Sequence, residues 1–170
     1  MTSVLKVDNI QNSSGTAGIE IDSNGVVTRS TLPSFMVTLT GDQNFTSNAT
    51  WLDITFVGSE TTNFVQGGMT LASGVITVPV TGVYHFSANI RIDGVGSGYI
   101  WTQISKNNSI DSTYQHNYID GSPDGSYQSL SQSGLYQMDA NDTIRVKVYA
   151  SSDGAFHAAK QSHFSGFLVG

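Results

Sequence analysis

The chain has 170 residues, no cysteine and a net charge of −6, with 38% hydrophobic residues and only 12% charged ones. That length suits one β domain with a short appendage, and the lack of cysteine excludes a disulfide framework and a thiolate metal site. Seven scattered basic residues exclude the Lys/Arg clusters that displace counterions from nucleic acid, and no apolar run of about eighteen residues offers a membrane insertion.

The opening MTSVLKVDNIQ has no charged region leading into an apolar stretch, so no secretory leader is expected. Val4, Leu5, Val7 and Ile10 predict one brief extended segment. Residues 18–27 (GIEIDSNGVV) read as a hairpin, in which Ile19 and Ile21 alternate with Glu20 and Asp22. Ser23-Asn24-Gly25 turns and Val26-Val27 returns; Asn-Gly suits the turn because both residues tolerate positive φ. So few apolar residues do not fold alone. Pro33 in TLPS (residues 31–34) breaks the pattern and marks a hinge. The predicted division is an attachment or stalk segment over 1–34 and a head domain over 35–170.

From Phe35 the predicted strands are 35–40, 51–57, 75–80, 83–92, 99–105, 113–119, 126–136, 143–150 and 163–169. Turn clusters such as Gly67-Gly68, Lys106-Asn107-Asn108 and Asp139 to Asp142 separate them. In 83–92 the alternation is cleanest: Tyr84, Phe86, Ala88, Ile90 and Ile92 face one side, and His85, Ser87, Asn89 and Arg91 the other. Short strands with turns between them, and no helical period, predict an all-β antiparallel jelly-roll sandwich.

Three stretches carry a resemblance. G-x-I-x-V-P-x-x-G-x-Y-x-F runs from Gly74 to Phe86, ANDTIRVKV occupies 140–148, and FSGFLVG closes the chain at 164–170. Their order and spacing resemble the globular head of the complement q-subcomponent family, a jelly roll of the tumour-necrosis-factor type. The resemblance covers roughly 35–170 and implies a compact homotrimer that binds partners and is not an enzyme. The first 30 residues, LKVDNIQNSSGTAGIEIDSNGVV above all, resemble the opening of bacteriophage tail-fibre and structural proteins. That implies virion attachment through Val4, Leu5, Val7 and Ile10, by contact with other virion proteins.

Catalytic motifs are absent: there is no G-x-S-x-G, no S-x-x-K and no H-E-x-x-H. His85, His116, His157 and His163 are isolated and read as surface or interface residues. No cofactor is expected; Asp120, Ser122 and Asp124 echo the start of a calcium loop, but its twelfth position is Ser131 where a bidentate Glu belongs. The stretch 113–128 offers the binding candidates. Tyr114, His116, Tyr118 and Tyr127 flank a loop with Asp120 and Asp124, a composition suited to stacking on sugars and bonding their hydroxyls. The competing reading buries Tyr114, His116 and Tyr118 in the sandwich or at the trimer contact.

The function expected from these readings is a non-enzymatic phage structural protein. It is made in the host cytoplasm and displayed on the virion as a trimeric fibre or spike, whose head binds a host-surface glycan or protein. The alternative is a capsid or tail decoration protein that stabilises the particle without a receptor.

Overall fold

The computed structural model describes residues 9–11, 13–14, 17–29, 32–46, 49–58, 63–93, 98–110, 117–120, 127–151 and 155–170. The chain divides into two compact units, Met1–Leu32 and Pro33–Gly170.

The first unit holds a three-stranded antiparallel sheet of β1 (Asn9–Gln11), β2 (Ala17–Ile21) and β3 (Val27–Thr28). The hairpin predicted over 18–27 is there, but its turn differs from the expected one. Only Gly25 has positive φ, at 81°. The Gly25 N–H donates to the Asp22 carbonyl and the Asp22 N–H to the Val26 carbonyl. Asp22 Oδ1 also accepts from the Asn24 and Val26 amides. This is a three-residue loop with glycine at the left-handed bulge, and the Asp22 side chain takes over the role that a second positive φ would have had.

The second unit is a sandwich of two antiparallel sheets. Its strands are β4 (Ser34–Thr38), β5 (Gln43–Thr46), β6 (Trp51–Asp53), β7 (Phe64–Gln66), β8 (Thr70–Ala72), β9 (Val75–Thr77) and β10 (Gly82–Asp93). There follow β11 (Tyr99–Lys106), β12 (Asn117–Asp120), β13 (Gln128–Met138), β14 (Thr143–Ala150), β15 (Ala155–Ala158) and β16 (His163–Leu168). One sheet runs β7-β4-β16-β10-β13, with β15 and then β5 continuing from the far end of β10. The other runs β12-β11-β14, and β14 then pairs with β9-β8 over one half and with β6 over the other. No helix long and apolar enough to cross a membrane occurs among the described residues.

Alternation on β10 is as the sequence predicts: Tyr84, Phe86, Ala88, Ile90 and Ile92 are all buried, and the residues between them are not. Phe35, Phe56, Phe86, Phe164 and Tyr136 join them in an aromatic core, with Phe35 and Phe164 ring centroids 4.9 Å apart. Tyr84 is buried, yet its hydroxyl donates to the Val80 carbonyl at 2.9 Å, so its polar end is not left unsatisfied.

Glutamine side chains bond across both seams of the sandwich. Gln132 on β13 is buried and accepts from the Ile104 amide of β11 in the other sheet. Gln43 on β5 donates to the Asp53 carbonyl and accepts from the Thr55 amide. These bonds satisfy backbone groups at sheet edges that no strand covers.

Two predicted strands are shorter than expected, each because its backbone bonds leave the ladder. The 51–57 segment is a strand only over 51–53, because the chain then changes sheets. Ile54 N–H still donates to Val146 of the second sheet, whereas Val57 N–H donates to Thr38 of the first. The 75–80 segment is ladder only to Thr77; Val78 then exchanges bonds with the 141–142 turn. Of the predicted strand 113–119, residues 113–116 lie outside the described residues, and β12 occupies 117–120.

Asp142 anchors that turn. Its carboxylate accepts from the Asp139 amide, the Asn107 amide group and Lys106 Nζ, at 2.7–2.8 Å. These partners, Lys106 and Asn107 first, hold its pKa down at about 2. A carboxyl depressed in the folded state stabilises the fold above about pH 4 and loses that contribution as pH falls from there towards 2. Asp142→Asn is therefore expected to lower the thermal midpoint at neutral pH and to flatten its decline in that acid window. Thermal melts between pH 7 and 2 check this, and an unaltered acid limb would count against the assignment.

Candidate functional site

The two sheets present opposite outer faces with different chemistry. On the second sheet the outward positions are Tyr99, Trp101, Gln103 and Ser105 of β11 and Arg145, Lys147 and Tyr149 of β14, with Trp51 and Asp53 of β6 alongside. Cross-strand register places Trp101 opposite Tyr149, and Tyr149 opposite Trp51. Tyr99 leans on this row, its ring centroid 5.2 Å from Trp101 and 6.2 Å from Tyr149. All four rings are half-buried. The next row along the strands is polar: Gln103 stands opposite Lys147, and Lys147 opposite Asp53. Asp53 takes Lys147 Nζ at 2.6 Å and Arg145 Nη1 at 2.9 Å. Burial raises the Asp53 pKa, but these two cationic partners outweigh it and leave the carboxyl below its ordinary value.

The sequence candidates fall partly on this face. Tyr118 is the register partner of Trp101, and Asp120 that of Tyr99, on β12. Tyr114, His116, Ser122 and Asp124 lie outside the described residues. Tyr127 stands apart on the other sheet's side, 66% exposed, with the Arg91 guanidinium 3.6 Å above its ring centre. The predicted set is therefore brought together only at Tyr118 and Asp120. Among the described residues no three His, Cys, Asp or Glu side chains gather as a metal site would need. Of the attachment candidates, Val4, Leu5 and Val7 also lie outside the described residues, and Ile10 is 54% exposed on β1.

Sequence reasoning missed Trp51, Tyr99, Trp101 and Tyr149 as a group. The available signal was their shared outward phase: each occupies the strand position alternate to an aliphatic residue of the core side, Ile100, Val148 or the partly buried Leu52.

The outer face of the first sheet is uncharged over most of its area. Three rows cross it: Leu135-His85-Phe167-Ser34, Ser133-Ser87-Ser165-Met36-Phe64, and Ser131-Asn89-His163-Thr38. Leu135 is 66% and Phe167 45% exposed, and no Lys, Arg, Asp or Glu interrupts these rows. An uncharged sheet face with exposed Leu and Phe is unusual for a surface that meets only water.

Two antiparallel sheets with the first and last strands of the sandwich, β4 and β16, side by side define a jelly roll of the tumour-necrosis-factor type. The chain is similar in structure to Eiger TNF from S. frugiperda, at TM-score 0.60 and 15% identity over 82% of this chain and 93% of that one. It is likewise similar to murine APRIL in a structure at pH 5.0, at TM-score 0.58 and 14% identity over 81% of this chain and 98% of that one. The family model of the C1q domain matches residues 34–169, and the chain belongs to that family. Such domains are generally non-enzymatic binding or structural modules that typically form homotrimers.

Proposed function

We propose that the protein is a homotrimeric, non-enzymatic adhesion module of a bacteriophage virion, attached through its first unit and binding the host surface through its head. The uncharged outer face of the first sheet carries the trimer reading. Burying Leu135 and Phe167 against two further copies removes exposed apolar area, and no charge on the three rows has to be desolvated. The likeness of residues 5–27 to the opening of phage structural proteins supports the virion placement, as does the three-stranded sheet that β1, β2 and β3 form among themselves. Three heads on one trimer, and many trimers on one particle, turn weak contacts into firm attachment.

Light scattering at micromolar concentration is expected to give a trimer. Leu135→Glu is expected to give a folded monomer, because three carboxylates would meet at a desolvated contact. A wild-type monomer, or a Leu135→Glu trimer, would count heavily against this arrangement. Binding of the purified protein to host cells, together with antibody labelling at the tail, separates adhesion from decoration. Labelling at capsid lattice positions without cell binding favours decoration.

A further inference from the structure

We propose that Trp101, Tyr149 and Trp51 form a track for an uncharged oligosaccharide lying across the strands. This rests on the adhesive reading of the head and gives it a place and a ligand class. The ladder puts these residues directly opposite one another on three neighbouring strands. Two strand spacings make the row about 10 Å long, room for two linked pyranose rings. Ring centroids 5.7 Å apart for Trp101 and Tyr149, and 5.5 Å for Trp51 and Tyr149, show that the side chains support one another. A ligand therefore meets surfaces that are already ordered and loses little to side-chain immobilisation.

Chemistry along the two flanks selects the occupant. On one side the partly exposed Asp53 and Arg145 offer an acceptor and a donor, as sugar hydroxyls require, while Gln103 and Lys147 beside them are buried; on the other stands Tyr99. Arg145 and Lys147 both pair with Asp53, which holds the charges of this patch in one ion-pair network within a chain of net charge −6. An uncharged ligand leaves that network intact, whereas a polyanion meets the net negative charge of the chain. None of the exposed aliphatic side chains lies on β6, β11 or β14 among the described residues, although a protein partner would find its anchors in such groups.

The chain's two tryptophans both belong to the row, so its tryptophan emission reports only from there. The test titrates the full chain with cellohexaose, mannohexaose and maltohexaose, then with an oligogalacturonate and a polyproline peptide. A saturable emission change is expected with at least one neutral sugar, and binding of the oligogalacturonate at least tenfold weaker. Tyr149→Ala keeps both reporters and is expected to weaken the sugar about tenfold or more with the melt of a folded protein. Tyr99→Ala, beside the row, serves if that variant does not fold. Silence towards all three sugars, an equal response to the polyanion or the peptide, or undiminished binding by the variant would overturn the proposal. Cell binding that survives Tyr149→Ala would remove the track and leave adhesion standing. A saturable sugar response without any cell binding would do the reverse.

Discussion

Phe86→Ala is expected to remove about 3–5 kcal/mol of stability, the range for deleting a fully buried phenylalanine from a core. Phe86 sits on β10, with ladder partners on both sides, and is fully buried. Its ring lies 5.5 Å from Tyr136, 5.9 Å from Tyr84 and about equally near Phe35 and Phe164, centroid to centroid. Opposite it in the ladder is Gly166, and a Cβ there would fall 2.3 Å from the Phe86 ring and 2.8 Å from Phe35. The ring therefore occupies the space that the absent Gly166 side chain leaves. Removing it opens a cavity lined by other rings, which are themselves fixed in the ladder and collapse little. Urea unfolding at one protein concentration checks this, since trimer assembly would otherwise shift the midpoint. Phe86→Leu should recover much of the loss, and Gly166→Ala should cost about 1–3 kcal/mol by overpacking the same spot. A Phe86→Ala midpoint close to the natural one would overturn this account of the core.

That pair also explains how much of the fold could be read from the sequence. The strand 83–92 was legible because each second residue is buried and the partners on both sides are long. The distant motifs were legible as landmarks, and the structure shows them as one hydrogen-bonded corner. Val78 exchanges bonds with Asn141 and Asp142, Val83 bonds Gly170, and Leu168 donates to Pro33. Residues at 74–86, 140–148 and 164–170 thus share one end of the sandwich, so their spacing in the chain carries information. The strands 43–46, 64–66, 70–72 and 155–158 were not legible. Each has three or four residues and few apolar ones, and is defined by what it pairs with, such as Phe45 opposite Phe156.

The candidate site shows the same limit. Tyr118 could be chosen from local composition, because Tyr114 to Tyr127 crowds aromatics and carboxylates into one stretch. Trp51 and Tyr149 lie far from it in sequence, and only the β12-β11-β14-β6 order brings them to one row. Residue types name the chemistry of a sheet face, but strand order decides which residues share it.

Gly74→Ala is expected to be about as damaging as the loss of Phe86, although it adds only one methyl group. Ser73 and Gly74 form the two-residue turn between β8 and β9, with φ of 50° and 78°. Forcing an alanine into that left-handed region costs about 1–2 kcal/mol. The larger effect is spatial. A Cβ at Gly74 would lie 2.2 Å from the Ile54 carbonyl oxygen, 2.8 Å from Thr55 Cα and 3.0 Å from Phe56 N. All three are backbone atoms of the stretch where the chain passes from one sheet to the other, between the bonds to Val146 and Thr38. No side-chain rotation relieves the clash; either the turn or the crossing must move, and Ile54 and Phe56, both fully buried, move with it. Displacing packed backbone adds about 1–3 kcal/mol. Asparagine separates the two causes, because it tolerates the left-handed region but not the contact. Gly74→Asn is expected to fail like Gly74→Ala. Gly68→Asn, where φ is 84° and a Cβ meets only Pro79, should cost under about 1 kcal/mol. If Gly74→Asn instead melts with the natural protein, the glycine serves the turn alone and the crossing does not depend on it.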